Sequence, residues 1–213
     1  MTETRVERKE RTRRAILDAA LELCEVQPLA ALSLRQVAKQ VGVVPTAFYR
    51  HFDSIDQLGL ELVDESFSSL RALLKDARTF DAPPENDRAL FLAIVDNSVD
   101  ALVSHVPKAE RHYRFIARER LAGTQPVREA VRHQLELIER ELATDIARVP
   151  GAGRWSGDDL RILANLLVNA MLFHAEELAL AGDRADVARR TQSIARRQLR
   201  IVLIGALNWD SSH

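Results

Sequence analysis

Side chains that can donate hydrogen bonds to phosphates or base edges cluster between Arg35 and His51, among them Arg35, Thr46, Tyr49, Arg50 and His51. A guanidinium can grip guanine O6 and N7 together, while hydroxyl, phenol and imidazole groups suit phosphate oxygens. Phe48 and Phe52, four apart, would anchor the opposite face of the same segment in a core. A basic stretch, Arg5, Arg8, Lys9, Arg11, Arg13 and Arg14, precedes them. Together these are the ingredients of nucleic-acid binding. The ingredients of catalysis are missing. His105, His112, His133 and His174 are scattered without H-E-x-x-H or C-x-x-C spacing, and no G-x-S-x-G elbow, P-loop or dinucleotide fingerprint is present. The lone cysteine, Cys24, falls in the apolar stripe Ile16, Leu17, Ala20, Leu23 and is expected to be a small core residue. No metal and no cofactor is expected.

The elements that must position these groups are equally legible. Ser33 and Gln36 form an S-x-x-Q capping box that opens a helix. Leu34, Val37, Ala38 and Val41 lie on its inner face, with Arg35 and Lys39 pointing away. Gly42 stands where a left-handed stop is needed, and Pro45 fits the first turn of a second helix. This is a helix-turn-helix, which lays its second helix in a major groove. An ordinary corner between two helices would need the same glycine and apolar faces; the clustered donors and the basic stretch favour DNA. Arg13, Ser33 at the helix start, and Arg50 join the DNA-binding candidates.

Formal charge is −1, but residues 1–52 hold nine Lys/Arg against six acids, leaving −4 for the rest. A modestly basic head on an acidic body suits a protein that touches phosphate at one end. The N-terminus lacks a signal-peptide core and no apolar run is expected to span a bilayer, so a soluble, cytoplasmic chain is expected, with no membrane partner.

Helical periodicity continues through the chain. It predicts an all-α fold of about nine helices. They are expected over Arg8–Val26, the helix-turn-helix pair, Ile55–Phe80, Asp87–His105, Lys108–Leu121, Pro126–Val149, Asp158–Ala181 and Arg184–Leu207. Asp81-Ala-Pro-Pro reads as a linker, and the Pro150–Gly157 stretch as a loop. Two domains are expected: a DNA-binding head over 1–53, and a helical ligand-binding and dimerisation domain over 54–213. In the last two helices Leu160, Leu163, Leu167, Met171, His174, Ile194, Leu199 and Val202 recur at helical spacing. They could pair with a twofold copy as a homodimer interface, or close the core of one chain. A reader of two half-sites favours the dimer and a palindromic operator.

On Ile16-Leu17-x-Ala19-Ala20, Ser33-Leu34-Arg35-x-Val37-Ala38 and Gly42-Val43 through Phe48-Tyr49-x-His51-Phe52, the sequence resembles the TetR family of bacterial transcriptional regulators. The resemblance covers residue 8 to about residue 65. By position it implies that Arg35 reaches a base edge and that Pro45, Thr46 and Ala47 face the groove. It also implies that Tyr49 and His51 fix register on phosphates. A departure lies at Ile55, where many members carry a backbone-contacting lysine. The segments Pro45-Thr-x-Phe-Tyr-Arg-His-Phe52, Asp56-x-Leu-Gly-Leu60, Val63-Asp-Glu-Ser66 and Arg118-Glu119-Arg120 are similar to repressors of unsaturated fatty-acid synthesis and desaturation. That finer resemblance implies a homodimer that senses long-chain acyl-CoA or acyl-carrier-protein thioesters.

A small apolar effector would need a pocket in the body. Candidate lining residues are Leu62, Phe67, Leu70, Leu74, Phe91, Ile94, Val95, Phe115, Ile116, Leu135, Leu166 and Phe173. Arg114, Arg118 and Arg120 would either meet an acyl thioester's phosphates or form a solvated face with Glu110 and Glu119. Few aromatics and many aliphatic side chains suit a flexible aliphatic ligand. Two alternatives remain: a regulator of efflux or catabolism that senses another apolar molecule, and a lipid-binding protein of this fold that does not read DNA.

Overall fold

A computed structural model describes residues 4–77, 87–149 and 152–211. Among them all regular structure is helical, with nine α-helices and three short 3-10 turns. The helices are α1 (Arg5–Leu23), α2 (Leu34–Val41), α3 (Pro45–Phe48), α4 (Ile55–Ala77), α5 (Asp87–His105), α6 (Glu110–Ala122), α7 (Gln125–Ala147), α8 (Gly157–Ala181) and α9 (Ala185–Leu207). The expected end of the fourth helix at Phe80 and the Asp81-Ala-Pro-Pro linker lie outside the described residues.

Several boundaries differ by a few residues from the sequence expectation, as where α1 ends at Leu23 rather than Val26 and α6 starts at Glu110 rather than Lys108, and two have clear local reasons. Helix α1 starts at Arg5 rather than Arg8, because Thr4 and Glu7 form a capping box: Glu7 N–H donates to Thr4 Oγ1 at 3.2 Å, and Thr4 N–H donates to Glu7 Oε2 at 2.7 Å. Helix α3 ends at Phe48 and continues only as turns, with Arg50 N–H on the Ala47 carbonyl and His51 N–H on the Phe48 carbonyl.

The chain divides into two compact units. The first joins Met1–Ser68 to Arg111–Arg132, and the second joins Ser69–Glu110 to His133–His213. The boundary expected after residue 53 falls inside the first unit, and its contacts show why α6 belongs there. Buried Glu119 accepts the Leu29 N–H at 3.0 Å. Arg118 donates to the carbonyls of Cys24 and Glu25 at 2.8 and 3.0 Å. Leu62, Phe67, Phe115 and Ile116, expected to line a pocket, are fully buried core of this unit beside Ile16, Leu29, Phe48 and Phe52. Cys24 is buried too, its thiol pushed up to about 12 by burial and then by the nearby Glu119 carboxylate.

The second unit packs Val95, Val99, Ala143, Ile146, Trp155, Ala164, Ala195, Leu199 and Leu203 into one core. Trp155 Nε1 donates to the Ala206 carbonyl at 3.1 Å, fastening the turn before α8 to the end of α9. Among the described residues α8 has the length and apolarity of a minimal bilayer span, contrary to the expectation of no such run. Its apolarity has a local use, since Ala164, Leu172, Ala175 and Leu178 are buried within the protein.

Candidate nucleic-acid interface and effector cavity

The helix-turn-helix is built as the spacing predicts. Gln36 N–H donates to Ser33 Oγ at 3.3 Å, and Ser33 N–H donates to Gln36 Oε1 at 2.8 Å. The Ser33 hydroxyl also donates to Gln36 Oε1, so its work is to start α2. Gly42 closes α2 at φ +75°, and Val43 N–H reaches back to the Ala38 carbonyl at 3.0 Å. A Cβ at Gly42 would meet no neighbour, so the positive φ alone calls for glycine. Pro45 occupies the first turn of α3.

Phe48 and Phe52 are buried with ring centres 5.7 Å apart, which turns the other side of the segment outward. Arg35, Lys39, Pro45, Thr46, Tyr49 and Arg50 are exposed, and Ala47 is half-buried among them. The Tyr49 ring meets Phe48 edge-on at 6.2 Å, which braces its phenol without covering it. His51 is partly buried, and its pKa is lowered below the usual 6.5 by burial and by the charges of Lys9 and Arg13. Its imidazole is therefore neutral at pH 7, with a single N–H to offer. Its Nδ1 is buried without a partner.

Arg13 is placed differently from expectation. It donates to the His51 carbonyl at 3.1 Å, pairs with Glu61, and lies 4.6 Å from the Phe52 ring centre. Its guanidinium is a brace for the turn after α3, because α1 turns this position toward α4 rather than outward. Arg14 is likewise held by Asp18 and Glu65. At the departure from the family pattern, half-buried Ile55 begins α4, while Gln57 N–H donates to Ser54 Oγ at 3.1 Å and Asp53 N–H to Gln57 Oε1 at 2.6 Å.

The second unit holds a cavity of about 140 Å³. Leu70, Leu73 and Leu74 of α4, Ile94, Val95, Ser98 and Leu102 of α5, and Leu135, Ile138, Leu142 and Ile146 of α7 line it. So do Leu167, Val168, Met171, Leu172 and Ala175 of α8, Leu199 and Leu203 of α9, and Val149. Among the described residues the lining has no aromatic ring, and Ser98 supplies its one hydroxyl. Leu70, Leu74, Ile94, Val95 and Leu135 were expected there. The side chain of Phe91 lies outside the described residues. Arg118 is spent on backbone carbonyls, and Arg111 and Arg114 pair with Glu25.

Two expected sets exchange places on α8 and α9. Leu167, Met171 and Leu199, expected at a dimer interface, line the cavity, while Leu166 and Phe173, expected in the pocket, are half exposed. Leu160 and Leu163 pack against the core, and Val202 is half-buried. His174 is buried, with Nε2 2.6 Å from Gln198 Oε1. Of that set only Ile194 is exposed. The register differs from expectation because α8 is apolar on two faces, so spacing alone marks both without saying which turns inward.

A helix-turn-helix with an exposed Arg35, Thr46 and Tyr49 on an all-helical body defines a class of protein, and known proteins match it. Residues 16–62 fit the model of bacterial regulatory proteins of the TetR family. An uncharacterized HTH-type transcriptional regulator of Haemophilus influenzae is 36% identical over 149 residues, covering 69% of each chain. A transcriptional regulator structure from Pseudomonas aeruginosa PAO1 matches with a TM-score of 0.67 at 17% identity, over 93% of each chain. A TetR-like regulator from Rhodococcus sp. RHA1 matches at 0.63 and 16% identity, over 89% of this chain and 96% of its own. Both structures share the fold. The chain belongs to the TetR family. It is a DNA-binding transcriptional regulator, of a family that is not enzymatic.

Proposed function

We propose that this regulator is a repressor that holds a palindromic operator as a homodimer and responds to a small aliphatic effector. Residues 1–53 read DNA, and residues 54–213 serve ligand and partner. The observation that carries the reading is the cavity, apolar but for Ser98 among the described residues, whose walls include Leu70, Leu73 and Leu74 of α4. The same helix begins directly after the helix-turn-helix at Ile55 and carries Leu58 and Leu62 in the core beneath it. A ligand that prefers one arrangement of α4 shifts the spacing of two recognition segments. Half-sites recur at roughly 34–36 Å, so a small splay weakens both contacts.

An apolar cavity of about 150 Å³ elsewhere holds one benzene-sized guest, so the volume here suits a compact alkyl group. The long-chain acyl thioesters implied by the finer resemblance would need this cavity to open further, and Arg118 already gives one N–H from each terminal nitrogen to the carbonyls of Cys24 and Glu25. The aliphatic walls support an acyl tail; among the described residues no cation lines the cavity to receive its phosphates.

The partner face follows from exposure. Ile162, Leu166, Phe173 and Leu180 fall on one outward face of α8, and Ile194 and Ile201 of α9 are exposed as well. Apolar stripes of that extent favour burial against a second copy. Acting on DNA, the protein works inside the cell.

The test begins with selection of duplexes from a random pool by the purified protein. The recovered sequences should share an inverted repeat. Arg35→Ala and Tyr49→Ala should weaken binding about tenfold or more while leaving the dimer intact. Hexanol and dodecanoyl-CoA are then titrated against the complex. Ala175→Phe, which fills the cavity, should bind operator normally and ignore either compound that moves the wild type. A variant that responds unchanged would exclude the cavity as the effector site.

A further inference from the structure

A second cleft lies in the same unit, of about 280 Å³, walled by Leu92 and Val95 of α5 and by Leu203, Ile204 and Leu207 of α9. Among the described residues its polar members are Arg200 and Asn208. It shares Val95 and Leu203 with the effector cavity but has a different chemistry, since one side carries a guanidinium.

That guanidinium is the end of an alternating ladder between α5 and α9. Asp100 receives Gln192 at 3.2 Å and Arg196. Arg196 also faces Asp96 at 3.4 Å, and Asp96 receives Arg200 Nη2 at 3.0 and 3.2 Å on its two oxygens. Asp100, Arg196 and Asp96 each have two partners in this ladder. Among the described residues Arg200 meets Asp96 alone, through one nitrogen, and lines the cleft. A carboxylate in the cleft would be the next rung: it would take the remaining guanidinium donors while Asp96 keeps Arg196. The five aliphatic walls would cover an attached hydrocarbon chain.

We propose that this α5–α9 cleft binds an amphiphilic monocarboxylate, its head group on Arg200 and its alkyl chain against Leu92, Val95, Leu203, Ile204 and Leu207. The site does not depend on the aliphatic effector reading above. Because both cavities share Val95 and Leu203, occupation of one bears on the walls of the other.

Calorimetric titration of the whole protein with octanoate, without DNA, tests this. One saturable site is expected, weakened about tenfold or more in Arg200→Gln. Octanol, with a similar chain and no charge, should bind weakly and equally to wild type and variant. Ile204→Asp places a negative charge on the exposed rim of the cleft and should also weaken octanoate about tenfold. It decides the question alone if Arg200→Gln fails to fold by circular dichroism. Absence of saturable octanoate binding overturns the site, as does full affinity in a folded variant. An equal loss of octanol in Arg200→Gln would also overturn the head-group assignment. With no operator present, such a failure leaves the repressor reading untouched.

Discussion

The guanidinium of Arg13 lies 4.6 Å from the centre of the Phe52 ring, while the same side chain donates to the carbonyl of His51 at 3.1 Å. Helix α1 thus holds the final turn after α3 by a cation over an aromatic face and a hydrogen bond at its rim, with Glu61 as counter-ion. Arg13→Ala should lower the unfolding free energy by about 1–3 kcal/mol, the cost of removing a charged donor from a partly buried acceptor. Urea denaturation measures this. A phosphate contact would behave otherwise: stability would hold, and the slope of log affinity against log salt would fall by about one. Loss of salt slope at unchanged stability would return Arg13 to the DNA contacts.

Gly59 is needed for space rather than for φ. A Cβ there would fall against Leu29 Cδ2 and 2.7 Å from Val127 Cγ2, and both neighbours are fully buried. Gly59→Ala should therefore destabilise by about 1–3 kcal/mol, as overpacking does, despite alanine's better helix propensity. Gly205 on α9 is the control, since a Cβ there meets nothing within 4 Å. Gly205→Ala should be neutral or mildly stabilising in the same denaturation assay.

Glu119 ties α6 to the turn at Leu29 through a carboxyl of which Oε2 is buried and unpartnered. Burial raises its pKa above 4.5, against the opposing pull of the Leu29 N–H and Arg118. A carboxyl raised in the folded state holds its proton where the unfolded chain has released it. Its contribution is therefore complete below the unfolded value and lost as pH rises through the folded one. Unfolding free energy, followed in urea from pH 4.5 to pH 8, should carry a downward component in wild type that Glu119→Gln removes. Identical pH profiles for the two proteins would mean that the carboxylate is already relieved in the native state.

How far the sequence reaches can be judged from particular residues. Ser33, Gly42, Pro45 and the Phe48–Phe52 pair were legible because caps, positive φ and four-residue spacing are local properties, written within a few residues of one another. Thr4 and Glu7 carried the same signal and mark the true start of α1. Arg13 was not legible, because its partners His51 and Glu61 are distant in the chain and only the packed unit brings them together. The same holds for Glu119 and Leu29, and for Arg118, whose spacing suggested an exposed basic face. The ladder ending at Arg200 also escaped notice: Asp96 and Asp100 are four apart, as are Arg196 and Arg200, but nothing local says that α5 and α9 are neighbours.

Leu166 and Leu167 are adjacent in the chain but lie on different faces of α8, the first half exposed and the second lining the cavity. Substitutions at the two positions should therefore separate assembly from ligand response. Leu166→Asp and Phe173→Asp place charge on the outward stripe of α8, where a desolvated carboxylate without a partner costs several kcal/mol. Sedimentation velocity should show monomers, and operator affinity should fall because each half-site is then held alone. Leu167→Ala removes wall from the cavity and leaves the stripe intact, so the dimer should persist. Its stability should drop by about 2–5 kcal/mol, in the range for buried leucine truncation. If both outward substitutions leave a stable dimer, the partner face lies elsewhere on the second unit and the stripe needs another occupant.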